Sequence, residues 1–232
     1  MLLRIRDLSF SYGAGLGALR SVSLEVEAGE KIGIVGANGA GKSTLLLHLN
    51  GVLEGEGEVF VDDRRLEASS LAEIRRNVGL VFQDPDDQLF SSTVFEDVAF
   101  GPLYMGLPEE LVRQRVAAAL AAVGMERMAD RAPHRMSLGE KKLAAIATVL
   151  SMDPSILALD EPTSGLDARA TRRITQLLAG LDLTLLVATH DLSLVRRILP
   201  RTIVMDGGEI VADGPTEEVL SDRTLLDRHG LI

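Results

Sequence analysis

The chain has 232 residues, of which 46% are hydrophobic, and acidic side chains outnumber basic ones to give a formal net charge of −10. That length suits a single large α/β domain with a substantial core. The acidic balance argues against a broad nucleic-acid surface, which needs clustered Lys and Arg, and the absence of Cys excludes a disulfide framework and any thiolate metal site.

Met1 to Asp7 runs directly into an alternating, strand-like pattern. Leu8 to Tyr12 and Val22 to Val26 read as strands separated by the Gly-rich turn Gly13 to Gly17. Tyr12 offers a ring face on which adenine could stack, worth about 1 kcal/mol beyond plain burial; the alternative is an ordinary strand aromatic. Lys31 to Val35 reads as a short buried strand, and Leu45 to Leu49 as an apolar helix.

Between them lies Gly36-Ala37-Asn38-Gly39-Ala40-Gly41-Lys42-Ser43-Thr44, which fits the phosphate-loop pattern and has the strand-then-helix context the pattern requires. Glycines let backbone N–H groups turn inward around phosphates, Lys42 neutralises charge on the outer two, and the Ser43 hydroxyl can ligate Mg²⁺ at a helix N-terminus. A plain Gly-rich turn is the weaker alternative.

Gly51 to Gly57 reads as a loop and Glu58 to Val61 as a strand turning at Asp62-Asp63. Val78 to Phe82 is an apolar run ending at Gln83, and Asp84-Pro85-Asp86-Asp87 is expected to break regular structure. From Phe95 to Leu150 the pattern is helical, with one helix opened by Pro108 and stopped by Gly124. Ser137 and Glu140 have the spacing of a capping box for an apolar helix from Lys141 to Leu150. A capped N-terminus can also present N–H groups to an anion, so this helix is a second candidate phosphate-binding element.

Ile156 to Leu159 closes on Asp160-Glu161, and Leu183 to Thr189 closes on His190. Arg201 to Met205 and Glu209 to Ala212 flank Asp206-Gly207-Gly208 as a hairpin, and the tail after Pro215 reads as a short helix or two. No uncharged apolar run reaches the roughly 18 residues needed to cross a bilayer, so any link to a membrane is expected to run through a partner.

The apolar runs that end at Gly36, Gln83, Asp160-Glu161 and His190 each carry site chemistry just past the carboxyl end, which is how a parallel sheet builds a ligand site. Asp160 would hold Mg²⁺ through water while Glu161 polarises the attacking water; the plain alternative is a pair of acids capping a turn. Gln83 could add an amide oxygen to Mg²⁺. His190 could hold the γ-phosphate or the water by one hydrogen bond, or be a structural His.

In this order, Tyr12, the loop Gly36 to Thr44, Gln83, Met136-Ser137-Leu138-Gly139-Glu140, Asp160-Glu161, Ser164-Gly165-Leu166-Asp167 and His190 resemble the signatures of the ATP-binding cassette (ABC) family over almost the whole chain. The family's usual Leu-Ser-Gly-Gly-Gln keeps its Ser and second Gly here but has Leu138 and Glu140 at the other two positions. Glu140 near a phosphate would be unfavourable unless a capping box turns it back toward its own helix.

The resemblance implies a P-loop NTPase (RecA-like) α/β fold, with a mainly parallel sheet, an N-terminal antiparallel β subdomain and an inserted α-helical subdomain. It implies one ABC ATPase domain over 1–232, with a core of 1–83 and 151–215, a helical subdomain 84–150 carrying the signature, and a tail 216–232. It also implies catalytic roles for Glu161, His190 and Lys42, with Tyr12 and residues 36–44 on ATP and Ser43, Gln83 and Asp160 on Mg²⁺. Ser137, Gly139 and Asp167 would act in trans on ATP held by a second copy, making a homodimer with two equivalent sites.

Gln83 to Phe90, Asp97 to Pro102 and Gly139-Glu140-Lys141-Lys142 look like the ATPases of energy-coupling-factor importers, the cobalt and nickel branch above all. That likeness implies a peripheral subunit at the cytoplasmic face of the cell membrane, partnered by transmembrane coupling and substrate-binding subunits and not by nucleic acid. The apolar stretch Ala99 to Leu107 is a candidate docking surface for such a partner, or an ordinary packing segment. The alternatives are an importer ATPase for a vitamin such as biotin and a soluble ABC ATPase acting as an assembly factor.

Overall fold

The computed structural model describes residues 1–13 and 15–232, so Ala14 of the expected Gly-rich turn lies outside the described residues. The chain opens with β1 (Leu3–Tyr12), β2 (Leu16–Val26), β3 (Lys31–Val35), α1 (Lys42–Leu49), β4 (Glu56–Val61), β5 (Arg64–Arg65) and α2 (Leu71–Asn77). It continues with β6 (Val78–Val81), α3 (Val94–Tyr104), α4 (Glu109–Ala122), α5 (Leu138–Leu150), β7 (Ile156–Asp160) and α6 (Ala168–Gly180). It closes with β8 (Thr184–Ala188), α7 (Leu192–Ile198), β9 (Arg201–Asp206), β10 (Glu209–Pro215), α8 (Thr216–Val219) and α9 (Arg223–Arg228).

These elements gather into two compact units, one of Met1–Leu80, Ser155–Glu161 and Asp182–Ile232, the other of Val81–Pro154 and Pro162–Leu181. The first holds both sheets. An antiparallel sheet has the order β2-β1-β4-β5, and a six-stranded sheet the order β10-β9-β3-β8-β7-β6. In the larger sheet β3 pairs in parallel with both β8 and β9, and β8 with β7, while β10 returns antiparallel on β9. This is the α/β P-loop fold with an N-terminal antiparallel part and helices inserted between sheet strands.

The sequence dictates the parallel region directly. Ile32 to Val35, Ile156 to Leu159 and Thr184 to Ala188 are buried throughout, as strands covered on both faces must be. α1 is buried on nearly every side, and Leu45, Leu46 and Leu49, each worth about 1.5–3 kcal/mol relative to exposure, fix the helix that follows the phosphate loop.

In the second unit, α3, α4 and α5 pack on one another, and Val98, Val112, Val116, Ala144 and Ile146 on these helices are all buried. One local expectation is corrected here. The segment Asp84 to Asp87 does not break into irregular coil: Pro85–Asp87 forms a single 3-10 turn, because the Asp84 carboxylate accepts from Asp86 N and satisfies its first donor. No described helix is long and apolar enough to cross a membrane.

Candidate functional site

The site in the first unit is built where β3, β7 and β8 end side by side. Beyond β3, the loop reaches α1 through Gly41, whose φ of 103° lies in the left-handed region and whose Cβ, if present, would stand 2.5 Å from the Ala18 carbonyl. Only glycine meets both conditions. Among the described residues no side chain caps α1, so its positive end is open to an anion. The β9–β10 turn braces the loop from the side: Gly208 N donates to Ala40 O at 3.1 Å, and Arg20 N donates to Gly208 O at 2.9 Å.

Lys42 is only 7% exposed, and its Nζ donates to the Gly36 and Ala37 carbonyls at 2.7 and 3.1 Å, arching over the loop. Burial pushes its pKa below the usual lysine value, and the nearby carboxylates of Glu161 and Asp160 pull it back up. A cation held this way is aimed and partly desolvated, so its field on a phosphate is stronger than in water.

Asp160 ends β7 and Glu161 follows it with φ 44°, a strained backbone for a residue with a Cβ. The ladder continues through this kink, since Glu161 N donates to Ala188 O at 2.8 Å. The kink turns the Glu161 carboxylate, 7% exposed, onto the end of β8. There Oε2 accepts from Thr189 Oγ1 at 3.1 Å, Oε1 accepts from His190 N at 3.1 Å, and the His190 Nδ1 lies 2.8 Å from Oε1. Glu161 and His190, read from the sequence as separate contributors, are thus directly bonded.

Thr189, invisible as a motif, holds the second carboxylate oxygen. A hydroxyl between a buried strand and the expected His190 was the only signal that could have drawn attention to it.

Tyr12 closes β1 with its ring exposed, its hydroxyl 3.3 Å from Thr44 Oγ1 and its edge on Phe10 at 4.8 Å between centroids. Asn38, Gly39 and Ser43 are exposed on the loop and at the start of α1, whereas Ala40 and Thr44 are buried. Tyr12, residues 36–44, Asp160, Glu161 and His190 therefore all belong to the first unit.

Gln83, Ser137, Gly139 and Asp167 belong to the second. Gln83 is exposed just past β6. The segment after it is pinned to α5: Gln88 accepts from Phe82 N at 3.1 Å and donates to Ala145 O and Thr148 Oγ1, while Asp86 takes both of its bonds from Lys141 Nζ at 2.6 and 2.8 Å.

Ser137 caps α5, and both limbs of the capping box are present. Glu140 bonds back to Ser137 N at 2.8 Å and to the Ser137 hydroxyl at 2.9 Å. These contacts, helped by Arg131 and Arg173, hold its carboxyl below the usual glutamate range. A Cβ at Gly139 would stand 2.9 Å from that of Ala170 on α6, so a bare backbone is what lets these helices approach. Asp167 caps α6, and its bonds from Ala170 N and Arg169 N lower its pKa.

Magnesium takes hard oxygen donors and keeps room for substrate phosphates. The Ser43 hydroxyl and Asp160 carboxylate are of that class, as is the Gln83 amide oxygen. Among the described residues no group of three or more His, Cys, Asp or Glu could hold a metal by itself.

The family described as ABC transporter matches residues 19–164. The energy-coupling factor transporter ATP-binding protein EcfA of Methanothermobacter thermautotrophicus is 48% identical over 236 residues, spanning 99% of this chain and 76% of that one. Among solved structures, cbiO1 from Clostridium perfringens, described as part of the ABC transporter complex cbiONQ, aligns with a TM-score of 0.86 at 38% identity over 99% of this chain and 94% of that one. The ATP-binding cassette MJ0796, solved as a dimer in a post-hydrolysis state with ADP and Pi, aligns with a TM-score of 0.82 at 30% identity over 93% of this chain and 99% of that one. With a phosphate loop, a buried lysine and a bonded Glu–His pair at neighbouring strand ends, the chain belongs to the ABC transporter family, as an ATP-hydrolysing subunit of the energy-coupling-factor type.

Proposed function

We propose that this subunit powers an importer of cobalt or nickel ions, working as a homodimer on the cytoplasmic face of the membrane beneath transmembrane coupling and substrate-binding subunits. The cargo rests on the signature variant Met136-Ser137-Leu138-Gly139-Glu140 and on the likeness to cbiO1, part of the cbiONQ complex. The homodimer is supported by the dimeric form of MJ0796.

The observation that carries the chemistry is the Lys42, Asp160, Glu161, Thr189 and His190 cluster at the ends of parallel strands. Residues 36–44 cradle the phosphates through backbone N–H groups and Lys42 neutralises the outer charge. Tyr12 stacks on the base. Glu161 takes a proton from the attacking water, with Thr189 and His190 holding its carboxylate in one orientation, and His190 reaches the terminal phosphate from the same place. Ser43, Asp160 and Gln83 would hold Mg²⁺, which when bound supplies charge neutralisation to the phosphates. Ser137, Gly139 and Asp167 reach the nucleotide of the second copy.

Glu161→Gln tests the chemistry. The amide keeps the shape but cannot take the proton, so kcat should fall by about 10²–10⁴-fold while ATP binding persists. Hydrolysis at the wild-type rate would remove Glu161 from that role. Cargo is tested in vesicles carrying the protein with its co-purified membrane subunits: cobalt or nickel accumulates on ATP addition, and accumulation of biotin with neither metal would replace the cargo assignment.

A further inference from the structure

The end of β9 and the turn after it lie against the phosphate loop at its start, its middle and its end. A Cβ at Gly36 would strike the Met205 carbonyl, Gly208 N donates to Ala40 O at 3.1 Å, and a Cβ at Gly41 would stand 3.4 Å from Gly208 Cα. A shift of residues 205–208 is therefore felt along the whole loop.

The turn has little of its own to hold it. Gly207 and Gly208 both lie at positive φ, 54° and 86°, and glycines carry no side chain to pack and have the widest freedom to leave such a conformation. Asp206 and Glu209, on either side of them, carry the side chains, and both are exposed. One of the two is gripped from outside the hairpin: His229 Nδ1 lies 2.8 Å from Asp206 Oδ2. A carboxylate only accepts, so Nδ1 is the donor whether the ring is neutral or charged.

His229 is well anchored. It ends α9, in which Leu226 is buried and the first turn is closed by Asp222, whose carboxylate accepts from Leu225 N at 2.9 Å. Beyond it, Leu231 N donates back to Leu226 O at 2.8 Å. The His229 side chain is 13% exposed, against 47% for Asp206, so the histidine is the fixed partner and the turn is what it holds.

We infer that His229 is a positioning residue for nucleotide binding: it holds Asp206, Asp206 holds the β9–β10 turn, and the turn holds Ala40, so that the N–H groups of the loop stay aimed at the phosphates. His229 acts only through the turn. What it supplies is preorganisation of the cradle, so its loss costs affinity and not the chemical step. The inference rests on the reading of residues 36–44 as the ATP cradle. Were the pair a mere staple for α9, its loss would lower Tm and leave the loop as it was.

His229→Phe keeps a ring and removes the donor, while His229→Asn sets an amide donor close to where Nδ1 stood. Hydrogen exchange at the buried Gly208 amide is followed by NMR in full-length, ¹⁵N-glycine-labelled protein without nucleotide. It should quicken by about two- to fivefold in His229→Phe, the range open to a half-exposed pair, and return toward the wild-type rate in His229→Asn. The Kd for Mg-ADP, which is not turned over, should rise over the same range in His229→Phe and recover in His229→Asn, and KM for ATP should rise with it while kcat does not fall. Asp206→Ala should reproduce both effects, and the double variant His229→Phe/Asp206→Ala should be no worse than either single one.

An unchanged Gly208 rate or an unchanged Kd in His229→Phe overturns the inference, whatever happens to Tm, and so do additive losses in the double variant or no recovery in His229→Asn. Failure of the wild type to bind Mg-ADP strikes the reading of the cradle instead, on which the exchange rate, measured without nucleotide, does not depend.

Discussion

The N-termini of α1 and α5 are both candidates for holding phosphate, yet they are finished in opposite ways. That of α1 has a glycine at its cap, no capping side chain, and a buried lysine at its first position. That of α5 is closed by its own chain, with Ser137 and Glu140 each answering the other's N–H. One terminus is left open at its cap, and the other is closed by its own side chains. An anion-binding element can thus be built as an open cradle or as a self-capped terminus, and only the first should lose its function wholesale when one cation is removed.

The largest effect is expected from Lys42→Ala. Loss of the one buried cation of the loop should lower kcat by about 10²–10³-fold, as for removal of a preorganised electrostatic donor, and steady-state phosphate release measures it. Retained turnover would mean that the open cradle does not depend on this charge.

Gly139→Ala probes the closed terminus. The added methyl meets Ala170 at 2.9 Å, and overpacking of this kind costs about 1–3 kcal/mol. Urea unfolding should show the loss at unchanged m-value; an unchanged midpoint would show that α5 and α6 give way easily and that the glycine serves another purpose.

The smallest effect is expected at Glu140. Replacing it by Ala removes half of the capping box, about 1 kcal/mol, or about 2–4 °C in Tm for a chain of this size, whereas Gln should retain most of it. The wild-type carboxyl is held below its ordinary value of 4.5. Its contribution is therefore present above that value and lost as pH falls through the lower folded one. The Tm gap between wild type and Glu140→Ala should accordingly close on acidification, and a gap independent of pH would remove the charge from the explanation.

Much of this was legible in the chain. Fully buried parallel strands leave uninterrupted apolar runs, and the Ser137-x-x-Glu140 spacing carries its own local geometry, so both could be read without the fold. What escaped notice depended on partners far away in sequence. Arg201 to Met205 reads as half of a hairpin, and it is, but β9 also pairs in parallel with β3, which no local pattern encodes. The same holds for Thr189, whose hydroxyl finds Glu161 only once β7 and β8 lie side by side, and for His48, which reads as one polar residue in an apolar helix until Gly55 and Phe10 surround it. The bond between Glu161 and His190 joins residues that the sequence assigned separate tasks, because a positive φ cannot be anticipated for a glutamate.

The tip of the β9–β10 hairpin bonds at once to Ala40 of the phosphate loop and to Arg20 of β2. The phosphate loop is therefore bonded to a turn that leaves the ribosome long after the loop itself. A nascent chain that has emerged only through β8 has every glycine of the loop but not the Gly208 N–H that bonds to Ala40 O.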